Sequence, residues 1–250
     1  MGTAYGFDTL NYIYNVAAEA KAKFGQGTFY LRYFSPTPWS TVVSTTSAVP
    51  EMRAAWDNGA IYLAPICEPA QSRLNGSRAY GATDGAAFCA ALDNFYFRVG
   101  PLSMPNRLDC YLALEATTNL SNAYWLGWAN AVGQHQISGK GAPFYPGMYC
   151  NPKASTTNCS TAVGYWCYSV WASEPEPCAA CGPFGSVGWQ AYTCYNSPSK
   201  LGPTLVWQMA EENGCESNTC RRGAFPNVDA DMTNPNYSET DHMFRLNWRP

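Results

Sequence analysis

The chain has 250 residues and a mass of 27.4 kDa, the size of one large domain, and no shift in composition divides it. Fifteen Lys and Arg against eighteen Asp and Glu leave a net charge of −3 with 13% charged residues, so no polybasic face exists to hold nucleic acid or an anionic membrane surface. Aromatic residues make up 15%, with nine Trp and seventeen Tyr, and their flat apolar faces with polar edges suit a sugar ring as well as a core.

In chain order, β-rich runs alternate with helical patterns. A strand is expected over 4–9, then a helix over 10–24 carrying Ala17, Ala18, Ala20 and Ala22, then a second strand over 28–35. A helix over 49–58 has Pro50 near its first turn and Gly59 at its close. The third strand, 60–68, contains the longest apolar run, far shorter than the roughly 20 residues a membrane helix needs, so no membrane span is expected. Thr83-Asp84 offers a cap for a helix to about residue 97, strand four spans 109–116, and Ser121 caps a helix to about residue 136. Further strands are expected at 143–151, 168–173, 204–209 and 227–232, within segments rich in Cys, Gly, Pro, Asn and Ser where helical patterns fade.

Repeated βα alternation at this length predicts an α/β fold: an irregular TIM-like barrel of eight strands with about five helices, the C-terminal half stapled by disulfides. The barrel domain is expected over 1–232, with 233–250 as a C-terminal tail. No Gly-rich dinucleotide turn follows the first strand, which argues against a Rossmann sheet.

Eleven cysteines, eight of them from Cys150 onward, point to an oxidising compartment and a secreted protein. The chain enters Ala4-Tyr5-Gly6 without a charged and apolar leader, which reads as a mature form without its signal peptide. Short loops favour the pairs Cys150–Cys159 and Cys215–Cys220, with Cys178–Cys181 a tighter ring, and Cys110 is the candidate for the thiol an odd count leaves over. Zinc at Cys178 and Cys181 lacks a second pair, and the histidines are only His135 and His242. No metal or cofactor is expected.

Acidic residues fall at strand ends: Asp8, Glu68, Glu115, and Asp229 or Asp231. Alternation puts Tyr111, Ala113 and Glu115 on one side of their strand and Leu112 and Leu114 on the other. Any one of these acids could be a helix cap, but several at one mouth, beside aromatic walls, match what glycosidic cleavage needs: a proton donor and a stabilising anion. A serine triad has little support, since two histidines are present and no Gly-x-Ser-x-Gly motif.

Gly6-Phe7-Asp8-Thr9, Leu31-Arg32-Tyr33-Phe34-Ser35, Ala64-Pro65-Ile66-Cys67-Glu68 and Tyr111-Leu112-Ala113-Leu114-Glu115 resemble the successive strand ends of the glycoside-hydrolase-like domain of unknown function family 1906. Gly147-Met148-Tyr149, Val170-Trp171-Ala172, Val206-Trp207-Gln208 and Val228-Asp229-Ala230-Asp231 are more remotely similar to later strands of glycoside hydrolase family 25 lysozymes, which cleave peptidoglycan. The resemblance implies an irregular five-helix barrel with Asp8, Glu115 and Asp229 at acidic active-site positions, Glu115 being the general acid. Those lysozymes carry an Asp two residues before the acid, where this chain has Ala113.

Around these carboxylates, Tyr33, Tyr149, Trp171 and Trp207 are candidates for stacking on sugar or for packing. Arg32 either binds a substrate acid or pairs with Glu68, Gln208 either bonds a hydroxyl or caps its strand, and Asp231 joins the substrate-binding set with Glu68. The expected function is a secreted glycoside hydrolase acting on a polysaccharide such as peptidoglycan or another cell-wall glycan. The alternative is a non-catalytic carbohydrate- or cell-wall-binding barrel that kept the cleft and lost the carboxylate at position 113.

Overall fold

The computed structural model describes residues 4–9, 17–18, 21–22, 27–34, 45–99, 102–114, 120–137, 143–150, 167–173, 204–210, 229–236 and 242–247. Ten strands are β1 (Tyr5–Thr9), β2 (Phe29–Phe34), β3 (Tyr62–Cys67), β4 (Leu102–Ser103), β5 (Leu108–Ala113), β6 (Phe144–Cys150), β7 (Ser169–Ser173), β8 (Thr204–Ala210), β9 (Asp229–Thr233) and β10 (Phe244–Leu246). Three α-helices are α1 (Thr45–Asp57), α2 (Arg78–Val99) and α3 (Asn122–Gly133). Of the helix expected over 10–24, residues Ala17, Ala18, Lys21 and Ala22 are described, and all four are helical.

The strands form one mixed sheet in the order β2-β1-β9-β8-β7-β6-β5-β3-β10-β4, with β2 also pairing β3 along its length. β1, β2, β3, β5, β6, β7 and β8 run parallel to their partners among one another, whereas β9 is antiparallel to both β1 and β8. β10 is antiparallel to β3 and β4. This corrects the expected TIM-like barrel. That fold needs eight parallel βα units, whereas here the sheet is mixed and has ten strands, with three bounded α-helices and the helical residues Ala17, Ala18, Lys21 and Ala22 among the described residues. A βα alternation is legible in sequence, but strand direction is not: β8 and β9 can be joined without a crossover helix, which frees β9 to run backwards. Residues 244–246, inside the stretch expected to be a tail, are a strand of the sheet.

Among the described residues no disulfide staple is found. No bond joins any of the described cysteines, and Cys67, Cys89 and Cys110 are buried thiols. Cys159, Cys178, Cys181, Cys215 and Cys220 lie outside the described residues.

Both faces of the sheet are covered, which is why a strand such as β5 is buried at every position. One face packs on the helices through Phe7, Tyr30, Phe34, Leu63, Leu112 and Met148. The other gathers Phe29, Leu31, Ala64, Ile66, Tyr111, Ala113, Tyr149, Trp171 and Val206. The two-residue alternation of strands sorts the side chains between these cores.

On the helical side, α2 and α3 meet at glycines. A Cβ on Gly81 would lie 2.0 Å from the Tyr124 carbonyl oxygen, and one on Gly127 would lie 2.0 Å from the Arg78 carbonyl oxygen. Ser121 caps α3 as expected, its hydroxyl accepting from the Tyr124 amide at 3.0 Å and donating to the Gly76 carbonyl at 2.5 Å. Asp84 is no cap: α2 begins at Arg78, and the buried Asp84 carboxylate receives Arg73 at 2.8 Å and the Tyr124 hydroxyl at 2.7 Å.

Candidate functional site

Asp8 and Tyr33 come from the neighbouring strands β1 and β2. On β1, Phe7 enters the helical core, so Asp8 turns to the opposite face; on β2, Tyr30, Arg32 and Phe34 share the helical side while Leu31 and Tyr33 oppose them. There the Tyr33 hydroxyl donates to Asp8 Oδ1 at 3.1 Å, and Asp8 is 1% exposed.

The reversed strand supplies the other acids. Antiparallel register sets position 229 opposite Asp8 and Asp231 opposite Gly6, so the start of β9 meets the end of β1. Directly paired residues share a face, which puts Asp8 and Asp231 on the same side of the sheet. Asp231 is fully buried, and its Oδ1 accepts from the Trp171 indole Nε1 at 3.0 Å. A buried carboxylate needs such donors, because removing it from water otherwise disfavours its charged form.

Tyr149 extends the array on the β7 side. Its ring centroid is 4.4 Å from that of Trp171, and its hydroxyl donates to Gln208 Oε1 at 2.8 Å. The register Tyr149↔Trp171 explains the ring contact, and Gln208↔Asp231 returns the array to β9. Tyr111, also on this face, packs edge-on to Trp171 at 6.0 Å. Burial, then the charge of Asp109, raises the Tyr111 hydroxyl well above the usual tyrosine pKa, so it stays protonated as a donor.

Asp8, Tyr33, Tyr149, Trp171, Gln208 and Asp231 are therefore brought to one face in three hydrogen-bonded pairs. Tyr111 was missing from the sequence-derived set, although its two-residue spacing from Ala113 and Glu115 was the signal that could have found it. Gly147 makes room beside it, since a Cβ there would lie 2.8 Å from Ser169 Oγ and 3.0 Å from the Tyr111 ring.

Arg32 is placed elsewhere. It lies on the helical side, fully buried, with Nε and Nη2 donating to Glu51 Oε2 at 3.0 and 2.7 Å, and its guanidinium sits over Phe34 and Phe95. Among the described residues its ion-pair partner is Glu51 of α1 rather than Glu68. Glu68 is half-buried just after β3, its amide donating to the Phe34 carbonyl at 3.1 Å. Glu115 lies outside the described residues; the chain is described up to Leu114, whose amide donates to the Tyr149 carbonyl at 2.9 Å. Asp229 and Trp207 are placed by their backbone as strand positions, Asp229 opposite Asp8 and Trp207 opposite Ala172 and Met232. Among the described residues, no group of three or more His, Cys, Asp or Glu is arranged to hold a metal ion, and no helix is long and apolar enough to cross a membrane.

A mixed sheet with helices on one side and an inner face of acids and aromatics defines the class of molecule at the level of fold. At that level the chain is similar to a crystal structure of an uncharacterized B. stearothermophilus protein, with a TM-score of 0.58 over 96% of this chain and 99% of that one at 14% identity. The likeness concerns the course of the chain. Comparison with protein-family profiles and with curated proteins finds no match.

Proposed function

We propose that the protein is a secreted glycoside hydrolase acting on a polysaccharide such as peptidoglycan or another cell-wall glycan. The observation that carries this reading is the pair of buried carboxylates on one sheet face, Asp8 and Asp231, each oriented by an aromatic donor and set beside Tyr149, Trp171 and Gln208. In this reading Glu115 protonates the leaving glycosidic oxygen, and Asp8 or Asp229 stabilises the oxocarbenium-like centre or orients water. Tyr149 and Trp171 wall the sugar, and Asp231 keeps the field negative where positive charge develops.

The test is reducing-end release from a panel of soluble glycans, chitin and cell walls. Wild-type protein releases ends from at least one, and Glu115→Gln slows this by roughly 10²–10⁴-fold, the usual worth of general acid catalysis. Asp8→Asn and Asp229→Asn are also slowed. Equal turnover by Glu115→Gln removes its role. One observation favours a second reading, a non-catalytic carbohydrate-binding domain: Ala113, fully buried on this face, stands where the lysozymes it resembles carry an Asp. Binding with no turnover by the wild type decides for that reading.

A further inference from the structure

At the other end of β6 from Tyr149 stands a second aromatic group. Tyr145 and Tyr149 are four residues apart on this strand, roughly 13 Å at the rise of an extended chain. The Tyr145 ring meets that of Tyr168 at 4.8 Å and 81°, and the Arg107 guanidinium lies 4.8 Å from the Tyr145 centroid. Arg107 is anchored rather than loose: its Nη2 holds Asp109 Oδ1 at 2.9 Å, and Asp109, itself 1% exposed, also lies 2.8 Å from His242 Nδ1. The Tyr168 backbone is fixed too, its amide donating to the Pro146 carbonyl at 2.9 Å.

The group nevertheless faces solvent, since Tyr168 is 36% exposed and the Arg107 side chain 26%. Tyr80 and Phe97 are also exposed large rings, but Tyr80 has only a cation beside it and Phe97 only a ring, among the described residues. Tyr168 joins both.

We propose that Tyr145, Tyr168 and Arg107 form a glycan-binding subsite, separate from the candidate site, that takes one pyranose ring of a polysaccharide; this rests on the reading of the protein as polysaccharide-active. A sugar has an apolar ring face for Tyr168 and hydroxyls for the Arg107 donors. An anionic ligand is a poorer fit, because Asp109 already meets the Arg107 charge. A nucleic acid is poorer still, for a chain of net charge −3 cannot neutralise a run of phosphates. Fixed side chains lose little freedom on binding, which favours affinity at an exposed surface.

The experiment is depletion of the protein from solution by insoluble chitin, cellulose and cell-wall sacculi, comparing wild type, Tyr168→Ala and Tyr168→Phe. Tyr168→Ala weakens binding about tenfold on the glycan the wild type retains. Tyr168→Phe stays within about twofold, because the ring face remains. Turnover of a short soluble oligosaccharide is unchanged in both variants, and unaltered thermal unfolding shows that they fold. Equal binding by Tyr168→Ala and wild type, or no binding by the wild type to any of the three, overturns the subsite. Binding through Tyr168 without reducing-end release leaves the subsite standing and removes the hydrolase, whereas release with Tyr168-independent binding removes the subsite alone.

Discussion

Glu51→Gln separates the two roles open to Arg32. Both side chains of the Arg32–Glu51 pair are fully buried, so neutralising Glu51 strands a guanidinium in a dry interior, a change that costs about 3–5 kcal/mol. The lower end applies. Gln keeps an oxygen for the Tyr30 hydroxyl, now 3.2 Å from Glu51 Oε1, and Arg32 keeps Phe34 and Phe95 at 4.7 and 5.0 Å. About 3 kcal/mol in a chain of this length lowers the Tm by roughly 6–12 °C. Replacing the group with apolar side chains (Tyr30→Phe, Arg32→Met, Glu51→Met) removes both charges together, gives up the weak 3.4 Å bond from Arg32 to the Tyr33 carbonyl, and recovers much of the loss. Thermal and urea unfolding followed by circular dichroism measure both variants, and glycan binding is measured alongside. If Glu51→Gln is neutral within about 0.5 kcal/mol while glycan affinity falls, the pair belongs to the binding site and its structural role is refuted.

The same substitution should have opposite signs at two glycines of α3. Gly127→Ala drives a methyl group into the Arg78 carbonyl, and an overpacking cost of about 3 kcal/mol outweighs the gain of about 1 kcal/mol in helix propensity, whereas Gly133→Ala meets nothing closer than Pro146 at 3.7 Å and is neutral or stabilising; a Tm for Gly127→Ala at or above wild type refutes the close helix contact. Burial raises the pKa of the thiols of Cys67, Cys89 and Cys110 and of the hydroxyls of Tyr30, Tyr111 and Tyr124. The unfolded chain therefore loses these protons first, so stability holds below about pH 8 and falls as pH rises through the unfolded values of about 8.5 for Cys and 10 for Tyr. Urea midpoints that stay level from pH 8 to 10.5, or buried tyrosines that ionise without unfolding, contradict this.

Each expected strand run carries a strand, because near-continuous apolar stretches such as 62–67 and 108–113 announce burial on both faces. The Ser121 cap was equally legible, being a local hydrogen bond between neighbours in sequence. What escaped depends on partners distant in the chain. β4 and β10 are two and three residues long, too short for any period, and exist by pairing with each other and with β3. Asp84 has the composition of a cap but answers to Arg73 and Tyr124, and Arg32 answers to a helix whose start lies four residues earlier than Pro50 suggested. In the candidate site, alternation foretold that Tyr111 and Ala113 share one face and Leu112 and Leu114 the other, while the meeting of Asp231 with Trp171 depends on a strand direction that no residue encodes by itself.

The reversal of β9 changes which connection can remodel the inner face. After a forward strand, variation reaches the neighbourhood of Asp8 through the segment that follows; for β9 it must come through the one that precedes. Since β8 and β9 are antiparallel neighbours, the 18 residues of 211–228 both leave and rejoin the sheet at the end where Asp229 opposes Asp8. Length changes in that connection leave the β8–β9 ladder in register. A single residue inserted between Asp229 and Asp231 would instead turn one acid to the helical side, where no polar group of the inner face could meet it. The spacing of Asp229 and Asp231 is therefore held by the strand ladder, whereas the length of the connection before them is not.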